Sequence, residues 1–370
     1  MPTGKRLTST VTSESTVILG IEEFEVPSPA PDEVLVEIEA SPINPSDLGL
    51  LFAGADVTTV SESDDGLILS LPDGAISGLT GRLDRPMPVG NEGSGVVIDA
   101  GTSEDAQALH GRVVAALAGG MYATHRLVKA RDCLVLQEGT QAIDAASCFV
   151  NPLTALGMTE TMRLEGHEAI IHTAAASNLG QMLNRICIDD GIDLINIVRR
   201  DEHIELLKSQ GAQHVVNSSA PDFHNSLVAA VAETGATIGF DAVGGGELTT
   251  ELLHAMEIAA GSNAGEYSRY GSTTHKQLYI YGGLDRGPTV LRRNYGMAWG
   301  VAGWLLPNFL TKIGFERSNA LRERVSAELT TTFASSYRDQ LSLKSVLDLD
   351  RLSDYAQMST QGKSLVCPKL

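Results

Sequence analysis

One short stretch, residues 169–181, constrains the fold of this chain more than any other. It reads AIIHTAAASNLGQ: an apolar run, then a loop of small residues, then Gly180 at the start of an amphipathic segment. A buried strand that turns through small residues into a helix presents backbone N–H groups and a helix N-terminus to a pyrophosphate. The stretch therefore predicts the strand, loop and helix of a dinucleotide-binding fold.

The next apolar run, residues 194–198, ends at Arg199 and Arg200. An acidic residue at that point hydrogen-bonds the ribose 2′-OH of NAD, whereas arginine suits the 2′-phosphate of NADP. The arginine pair therefore predicts NADP(H) as the cofactor. The alternative is a solvated basic pair with no ligand.

Composition excludes several other classes of protein. The chain has 370 residues, of which 43% are hydrophobic and 20% charged, and this favours two globular domains. A net charge of −19 argues against nucleic acid or an anionic membrane as partner. No apolar run approaches the roughly 20 residues of a membrane span. The polar segment 1–16 does not resemble a secretory signal, and the four cysteines have no CxxC spacing, so we expect a cytoplasmic protein with reduced thiols.

The hydrophobic pattern changes along the chain. The first 150 residues read as β-rich, with short strands separated by Gly, Pro and Asp. From residue 151 strands alternate with helices, which predicts a parallel, doubly wound sheet. A helical segment at 319–331 follows, and then a tail that we expect to return to the first domain. The predicted strands are 34–40, 95–98, 112–115, 169–172, 194–198, 214–216, 237–241, 278–281, 341–347 and 363–366.

Two segments interrupt this pattern. The acidic insertion 55–87 is expected to form its own small hairpin around 67–71 and Pro72-Asp73-Gly74, either as a flap near the cleft or as a decorative loop. The polar residues 261–274 are expected to form a surface loop. We expect Trp299 and Trp304, in an apolar stretch, to be packing or interface residues.

Seven short motifs then occur in one order. They are SPINPSD (41–47), GNEGSG (90–95), NPLTA (151–155), the loop ending at Gly180, FDAVGG (240–245), YGG (281–283) and GK (362–363). Together they resemble the medium-chain dehydrogenase/reductase superfamily, in its zinc-free quinone oxidoreductase and enoyl thioester reductase branches. The resemblance covers nearly the whole chain apart from 55–87 and 261–276.

This resemblance implies an α/β fold with two domains. A GroES-like β-rich catalytic domain (1–150, completed by 332–370) accompanies a Rossmann domain (151–331) whose doubly wound parallel sheet binds NADP(H). The cofactor cleft lies between them, and the expected assembly is a homodimer. The implied cofactor-binding residues are Ala174, Ser177, Asn178, Gly180, Arg199, Arg200, Asn217, Val243, Tyr281, Gly282 and Lys363.

The chain departs from the zinc-dependent members of that superfamily. In zinc alcohol dehydrogenases a Cys, together with the His of a Gly-His-Glu motif, binds the catalytic metal, whereas Ser46 or Asp47 and Asn91 stand here. Zinc needs three or four N, S or O ligands held tetrahedrally. No other Cys/His group in the sequence replaces them, so we expect no metal.

The implied reaction is hydride transfer from NADPH to a quinone or α,β-unsaturated carbonyl, whose developing negative charge neutral donors can stabilise. Asn44 is the expected polar group beside the nicotinamide and the acceptor; alternatively it forms the turn before Pro45. Thr154 is expected to face the nicotinamide, or else to start a helix. Lys363 is expected to face the cleft, or else solvent. Tyr122 is the candidate proton donor, or else a half-buried core residue.

Two alternative functions stay open: an enoyl thioester reductase, and a cofactor-binding protein with little turnover. An enoyl reductase must deliver a proton to carbon, and a positioned acid contributes roughly 10²–10⁴-fold. In enoyl thioester reductases a tyrosine follows the Ile-Asn-Pro-Ser-Asp motif, but Ala55 or Asp56 falls there and the first tyrosine is Tyr122. Water can protonate a reduced quinone on oxygen, so the sequence favours quinones.

Overall fold

The computed structural model describes residues 2–63, 66–262, 268–356 and 363–370. The chain divides into two compact units, Met1–Val150 with Arg322–Leu370 and Asn151–Leu321. Three parts of the motifs and insertions discussed above lie outside the described residues: Asp64 and Asp65, residues 263–267, and Gly362.

The first 150 residues fold mainly into strands, as their alternating pattern predicts. The elements are β1 (Thr3–Val11), β2 (Thr16–Glu25), β3 (Glu33–Pro42), α1 (Pro45–Phe52), β4 (Asp56–Ser63), β5 (Gly66–Ser70), β6 (Met87–Pro88), β7 (Gly93–Ala100), α2 (Glu104–Gln107), β8 (Val113–Ala116), β9 (His125–Lys129), β10 (Cys133–Val135) and α3 (Ala142–Ala145).

Strands and helices alternate through the second unit. The elements are α4 (Val150–Leu164), β11 (Ala169–Thr173), α5 (Asn178–Asp190), β12 (Asp193–Val198), α6 (Asp201–Ser209), β13 (His214–Asn217), α7 (Phe223–Thr234), β14 (Ile238–Asp241), β15 (Gly244–Gly246), α8 (Leu248–Ser262), β16 (Lys276–Ile280), β17 (Asp285–Thr289), β18 (Trp299–Gly303) and α9 (Leu306–Ala327). The boundary between the units falls inside α9, earlier than the predicted boundary after residue 331. The remaining elements are β19 (Tyr337–Leu341), α10 (Leu343–Val346), α11 (Leu349–Ala356) and β20 (Lys363–Val366).

The second unit is built on a six-stranded parallel sheet in the order β13-β12-β11-β14-β16-β18. Strand β11 is buried along its whole length, as an apolar run between two helical layers must be. The chain moves outward from β11 to β13 and then returns to β14, so the strand order reverses beside β11. Five of these strands were predicted. The sixth, β18, was missed because its sequence, WGVAG, contains two glycines and no alternating pattern.

The first unit contains two sheets. One has the order β4-β5-β2-β1-β6; the other has the order β10-β8-β7-β3-β20-β19, with β9 also paired to β3. Strand β20 pairs antiparallel with β3, so the tail does return to this unit as predicted. The predicted strand at 341–347 is wrong beyond Leu341, because Ser342 caps α10 by accepting a hydrogen bond from the Ser345 N–H.

The insertion is part of a sheet and not a decorative loop. Its β4 and β5 form an antiparallel pair, and β5 also pairs with β2. The two strands join between Ser63 and Gly66, so the hairpin does not turn at Pro72-Asp73-Gly74. Leu67 and Leu69 are buried in the apolar core with residues of β1 and β2. The expected hairpin around 67–71 is thus present, and the alternation of Leu67 and Leu69 matches the half-buried strand β5.

None of the helices in the described ranges has the length and apolar character needed to cross a membrane. The four cysteines are all unpaired, and Cys148, Cys187 and Cys367 are buried.

Candidate functional site

The start of α5 forms the loop that the sequence singled out. Ser177 caps the helix, because its Oγ accepts a hydrogen bond from the Gly180 N–H at 3.2 Å. Ala174 has a φ of 51°, which turns the chain sharply after β11. A Cβ on Gly180 would stand 2.2 Å from the Ala175 carbonyl oxygen, so only glycine permits this approach of helix to loop. The first turn of α5, with Asn178, directs its backbone N–H groups toward the C-terminal end of β11.

The predicted cofactor-binding residues Arg199, Arg200 and Asn217 lie at the ends of the two neighbouring strands, β12 and β13. Arg199 and Arg200 follow β12 directly and are both exposed. Arg200 pairs with Glu202 at 3.0 Å and contacts His203 Nε2 at 2.7 Å. Asn217 ends β13, where its Nδ2 donates to Asp201 Oδ1 at 2.7 Å. The Asn217 side chain therefore ties α6 to β13.

The loops after β14 and β16 complete this edge of the sheet. Asp241 accepts hydrogen bonds from the backbone N–H groups of Val243 and Gly244, at 2.9 and 3.1 Å, and so fixes the turn after β14. Tyr281 follows β16, and a Cβ on Gly282 would meet the Ala242 carbonyl oxygen at 2.6 Å. The C-terminal ends of β11, β12, β14 and β16 thus meet beside the reversal of strand order, where ligands bind in open α/β sheets.

A histidine beneath this edge holds Tyr281. His172 is fully buried in β11, and its Nε2 is 2.7 Å from the Tyr281 hydroxyl. Burial lowers the pKa of His172 to about 3, so the imidazole is neutral at physiological pH. Its Nδ1 has no hydrogen-bond partner in the described parts of the chain.

The first unit contains a buried polar network around Asn44, the N-cap residue of α1. Asn44 Nδ2 donates to Glu92 Oε1 at 2.8 Å, and Asn44 Oδ1 accepts from Lys363 Nζ at 2.6 Å. Glu92 Oε2 in turn accepts from the backbone N–H groups of Phe149 and Val150, at the start of α4. Asn44 is 1% exposed and Glu92 is fully buried.

Burial favours the neutral forms of Lys363 and Glu92, and the opposite charge of each group favours the charged form of the other. Burial lowers the pKa of Lys363 to about 8, although the nearby carboxylates Glu92 and Asp47 act to raise it. Burial raises the pKa of Glu92, whereas the charge of Lys363 and the hydrogen bonds that the carboxylate accepts act to lower it. The predicted residues Asn44 and Lys363 are thus in contact, although 319 positions separate them. Lys363 is buried rather than facing solvent.

Asp47 is a second buried carboxyl beside this network. It accepts hydrogen bonds from the backbone N–H groups of Asn44 and Asn91, at 2.8 and 2.7 Å. Burial raises its pKa to about 7. Asp47 and Glu92 were not among the predicted site residues. Their signal in the sequence was an acidic residue inside each of two motifs that are otherwise apolar, small or neutral.

Two predicted catalytic residues, Tyr122 and Thr154, are buried. Tyr122 is fully buried in the apolar core of the first unit, where its hydroxyl donates to the Pro42 carbonyl oxygen at 3.1 Å. Burial, followed by the charge of Asp47, raises the pKa of Tyr122 well above its usual value. Tyr122 is therefore a core residue with a satisfied hydroxyl. Thr154 lies inside α4, in the second unit, and is 7% exposed.

The chain is similar in sequence to enoyl-[acyl-carrier-protein] reductases and to an NADPH quinone oxidoreductase. No family model matches the chain. A mitochondrial enoyl-[acyl-carrier-protein] reductase of Xenopus tropicalis is 27% identical over 74% of this chain and 68% of its own length. An NADPH quinone oxidoreductase of Kluyveromyces marxianus is 26% identical over 55% of this chain and 52% of its own length. The chain thus spans about two thirds of the first relative and about half of the second.

Solved structures match over almost the whole chain. A Mesorhizobium loti protein proposed to be an NADPH:quinone reductase has a TM-score of 0.73 at 25% identity, and the match covers 100% of this chain and 99% of that one. The Etr1p/NADP/crotonyl-CoA complex has a TM-score of 0.67 at 19% identity, and the match covers 99% of this chain and 100% of that one. At that identity the similarity is one of fold alone. The resemblance to the medium-chain dehydrogenase/reductase family is confirmed. So is its α/β fold, with a Rossmann sheet and a GroES-like β-rich unit.

Ser46 or Asp47, together with Asn91, stand where the resemblance places the zinc ligands of the zinc-dependent enzymes. Asn91 Nδ2 donates to Ser46 Oγ at 3.0 Å, so these two side chains bond to each other. Within the described ranges, no group of three or more His, Cys, Asp or Glu side chains could hold a metal ion.

Proposed function

We propose that this protein is an NADPH-dependent oxidoreductase that reduces a quinone or an α,β-unsaturated carbonyl without a metal. The observation that carries this proposal is the edge of the parallel sheet, where the capped start of α5 stands next to Arg199 and Arg200. When bound, NADPH supplies the hydride. The chain supplies binding groups and the polar surroundings of the acceptor.

The cofactor assignment rests on the fit of this edge to a dinucleotide phosphate. Gly180 lets α5 start close to β11, so that its backbone N–H groups can bind a pyrophosphate. Arg199 and Arg200 follow β12, where arginine suits a 2′-phosphate and an acidic residue would repel it. We assign Tyr281 and Gly282 to the nicotinamide half, since they follow β16. The Etr1p complex, which has the same fold, contains NADP.

On the acceptor side we assign the neutral donor to Asn44. One hydrogen of its amide nitrogen goes to Glu92, which leaves the second for an acceptor oxygen. Lys363 fixes the amide by donating to its oxygen. A hydrogen bond in such buried surroundings is stronger than the same bond in water. We assign Thr154 to the nicotinamide, and Lys363 to positioning Asn44.

We propose that no zinc takes part. Ser46 and Asn91 bond to each other, and neither an alcohol nor an amide is a preferred zinc ligand. Asp47, the alternative residue at the cysteine position, accepts hydrogen bonds from the backbone N–H groups of Asn44 and Asn91. Elemental analysis of purified protein should find no stoichiometric zinc, and a chelator should leave turnover unchanged. About one zinc per chain would overturn this part of the proposal.

Quinones are the acceptors that the site supports best. Reduction of an enoyl thioester needs a proton delivered to carbon, and the predicted donor Tyr122 is buried with its hydroxyl bonded to a backbone carbonyl. Protons on a quinone oxygen can come from water. The second candidate, an enoyl thioester reductase, is favoured by the names of relatives such as the Xenopus tropicalis enzyme.

Cofactor choice is tested by titrating NADPH and NADH into wild type, Arg199→Ala and Arg200→Ala. NADPH should bind more tightly, and loss of an arginine that contacts phosphate should weaken NADPH about tenfold or more while sparing NADH. Arg131→Ala, which removes an exposed arginine of the first unit, is the matched control. Equal affinity of wild type for the two cofactors would contradict the assignment.

Acceptor choice is tested by comparing kcat/KM for a panel of quinones, enones and enoyl thioesters. Quinones should give the larger values. Faster turnover of an enoyl thioester would make the second candidate correct and would require a proton donor other than Tyr122. Tight NADPH binding with no oxidation by any acceptor would instead indicate a cofactor-binding protein with little turnover.

We also propose a homodimer formed through the second unit, where β18 is the outermost strand and the apolar side chains of Met297 and Leu305 beside it are exposed. A cytoplasmic location stays a prediction from composition, and several relatives are named as mitochondrial. Fractionation of cells that express the full-length protein would decide the location.

A further inference from the structure

The first unit contains a cavity that the proposed reaction does not use. It has a volume of about 300 Å³ and lies among β1, β2, β3 and β9. Its polar lining includes Arg6, His125 and Arg126, and its apolar lining includes Phe24, Pro88 and Leu127. None of these residues is assigned above to the cofactor or the acceptor. The volume is at the lower end of the range for small-molecule sites.

Arg126 is the most informative residue of this cavity. Its Nη2 donates to the Ala118 carbonyl oxygen at 3.1 Å, which fixes the guanidinium. Its Nε is buried and has no hydrogen-bond partner among the described residues, and no carboxylate lies within ion-pair distance of it there. A buried donor of a charged group without a partner is costly, and because the Nε atom is closed to solvent, an anion in the cavity would offset that cost through its charge.

Arg6 places a second guanidinium at the same cavity. It is oriented by Glu22, which accepts a hydrogen bond from Arg6 Nε at 3.1 Å, and by the Phe24 ring, whose centroid is 4.9 Å from the Arg6 Cζ atom. Burial lowers the pKa of Arg126 and the charge of Arg6 lowers it further, so the two cations repel each other, while the charge of Glu33 acts to raise it. The carboxylate of the lining residue Glu25 is exposed.

This pair of cations is unexpected in a chain with a net charge of −19. Two guanidiniums bind the oxygens of phosphate or carboxylate in planar, bidentate geometry. The adjacent apolar wall can bury a compact hydrocarbon or ring. We propose that the cavity binds a small ligand with an oxyanion, phosphate or carboxylate, carried on a compact apolar group.

Calorimetric titration with phenyl phosphate, benzoate and inorganic phosphate tests this site. The titrations use the full chain with NADP⁺ in saturating amount, and again in an Arg199→Ala/Arg200→Ala background, because the proposed cofactor site could also bind phosphate. Phenyl phosphate or benzoate should bind in both cases, and whichever binds more tightly identifies the anion. Phenyl phosphate should bind more tightly than inorganic phosphate because of the apolar wall.

Four variants separate this site from a general effect of charge. Arg126→Gln should weaken binding about tenfold or more, and Arg6→Gln on a different strand should also weaken it. Glu22→Gln should strengthen binding several-fold, because it removes the carboxylate that competes for Arg6. The matched controls are Arg131→Gln for the arginines and Glu23→Gln for Glu22, since both controls alter exposed groups outside the cavity.

The outcomes are separable from those of the proposed function. Anion binding that is lost in Arg126→Gln but kept in Arg131→Gln supports the site even if NADPH does not bind. No binding of either organic anion by wild type would overturn the proposal. So would equal affinities in Arg126→Gln and Arg131→Gln, with thermal unfolding showing that both variants are folded.

Discussion

At the scale of single residues, the sharpest prediction concerns Asp47. Its pKa is raised by burial from 3.8 to about 7. Between these two pH values the folded protein therefore holds a proton that the unfolded chain has released. The contribution of Asp47 to the free energy of unfolding is therefore greatest below about pH 4. It is lost progressively as the pH rises through 7.

The variant Asp47→Asn should remove this contribution to the pH dependence. The free energy of unfolding of wild type minus that of the variant should fall between pH 4 and 7, with a slope of at most about 1.4 kcal/mol per pH unit. Urea unfolding at a series of pH values measures it. Asp99→Asn is the control, because Asp99 is exposed. A wild-type and variant difference that is flat over this range would show that Asp47 is ionised in the folded protein.

The sequence predicted part of this site and missed the rest for a physical reason. Asn44 and Lys363 were identified from two distant motifs, and they are hydrogen-bonded in the structure. The roles of Glu92 and Asp47 were not predictable, because an acidic residue is ordinarily solvated and only the fold reveals its burial. Tyr122 was misleading for the opposite reason, since its hydroxyl is satisfied by a backbone carbonyl that no pattern indicates.

At the scale of elements, two helical glycines should respond in opposite ways to substitution by alanine. A Cβ on Gly180 of α5 would stand 2.2 Å from the Ala175 carbonyl oxygen, so Gly180→Ala should destabilise the protein by about 2 kcal/mol or more and weaken NADPH binding. A Cβ on Gly49 of α1 would meet nothing within 4 Å, so Gly49→Ala should stabilise by about 0.5–1 kcal/mol. Denaturant unfolding of both variants checks this. Equal effects would contradict the close approach at Gly180.

The β4–β5 hairpin provides a second prediction about an element. Leu69 is fully buried in the core beside β2, so Leu69→Ala should cost about 2–5 kcal/mol of unfolding free energy. Ile98→Ala, at a position that is 40% exposed, should change it by less than about 0.5 kcal/mol. If Leu69→Ala were as mild as Ile98→Ala, the insertion would be a decorative loop after all.

At the scale of the whole molecule, the sequence predicted the central parallel strands better than the outermost strands of the sheets. Five strands of the parallel sheet were found because apolar runs alternate with helical periodicity, and the tail strand β20 was found in the same way. The outermost strand β18 was not, nor were β1 and β2, and the hairpin expected around 67–71 was predicted with its turn at the wrong end. Strands β18 and β4 are the outermost strands of their sheets, where one side of a strand is less buried and the hydrophobic pattern is weaker.

The edge strand β18 leads to the last prediction, which concerns assembly. Strand β18 pairs only with β16 within the described residues, and an edge strand exposes N–H and C=O groups that proteins usually cover or pair. Met297 and Leu305, on either side of it in sequence, are 76% and 58% exposed. A second copy meeting this edge about a two-fold axis would pair the strand and bury both side chains.

Sedimentation equilibrium should therefore give a mass near twice the 39.2 kDa of the chain. The double variant Met297→Glu/Leu305→Glu should sediment as a monomer, since burying two carboxylates opposite their copies is costly. Ile98→Glu, which adds a charge at an exposed apolar position of the first unit, should stay dimeric. A monomeric wild type would exclude the dimer, and a double variant that stays dimeric would move the interface away from β18.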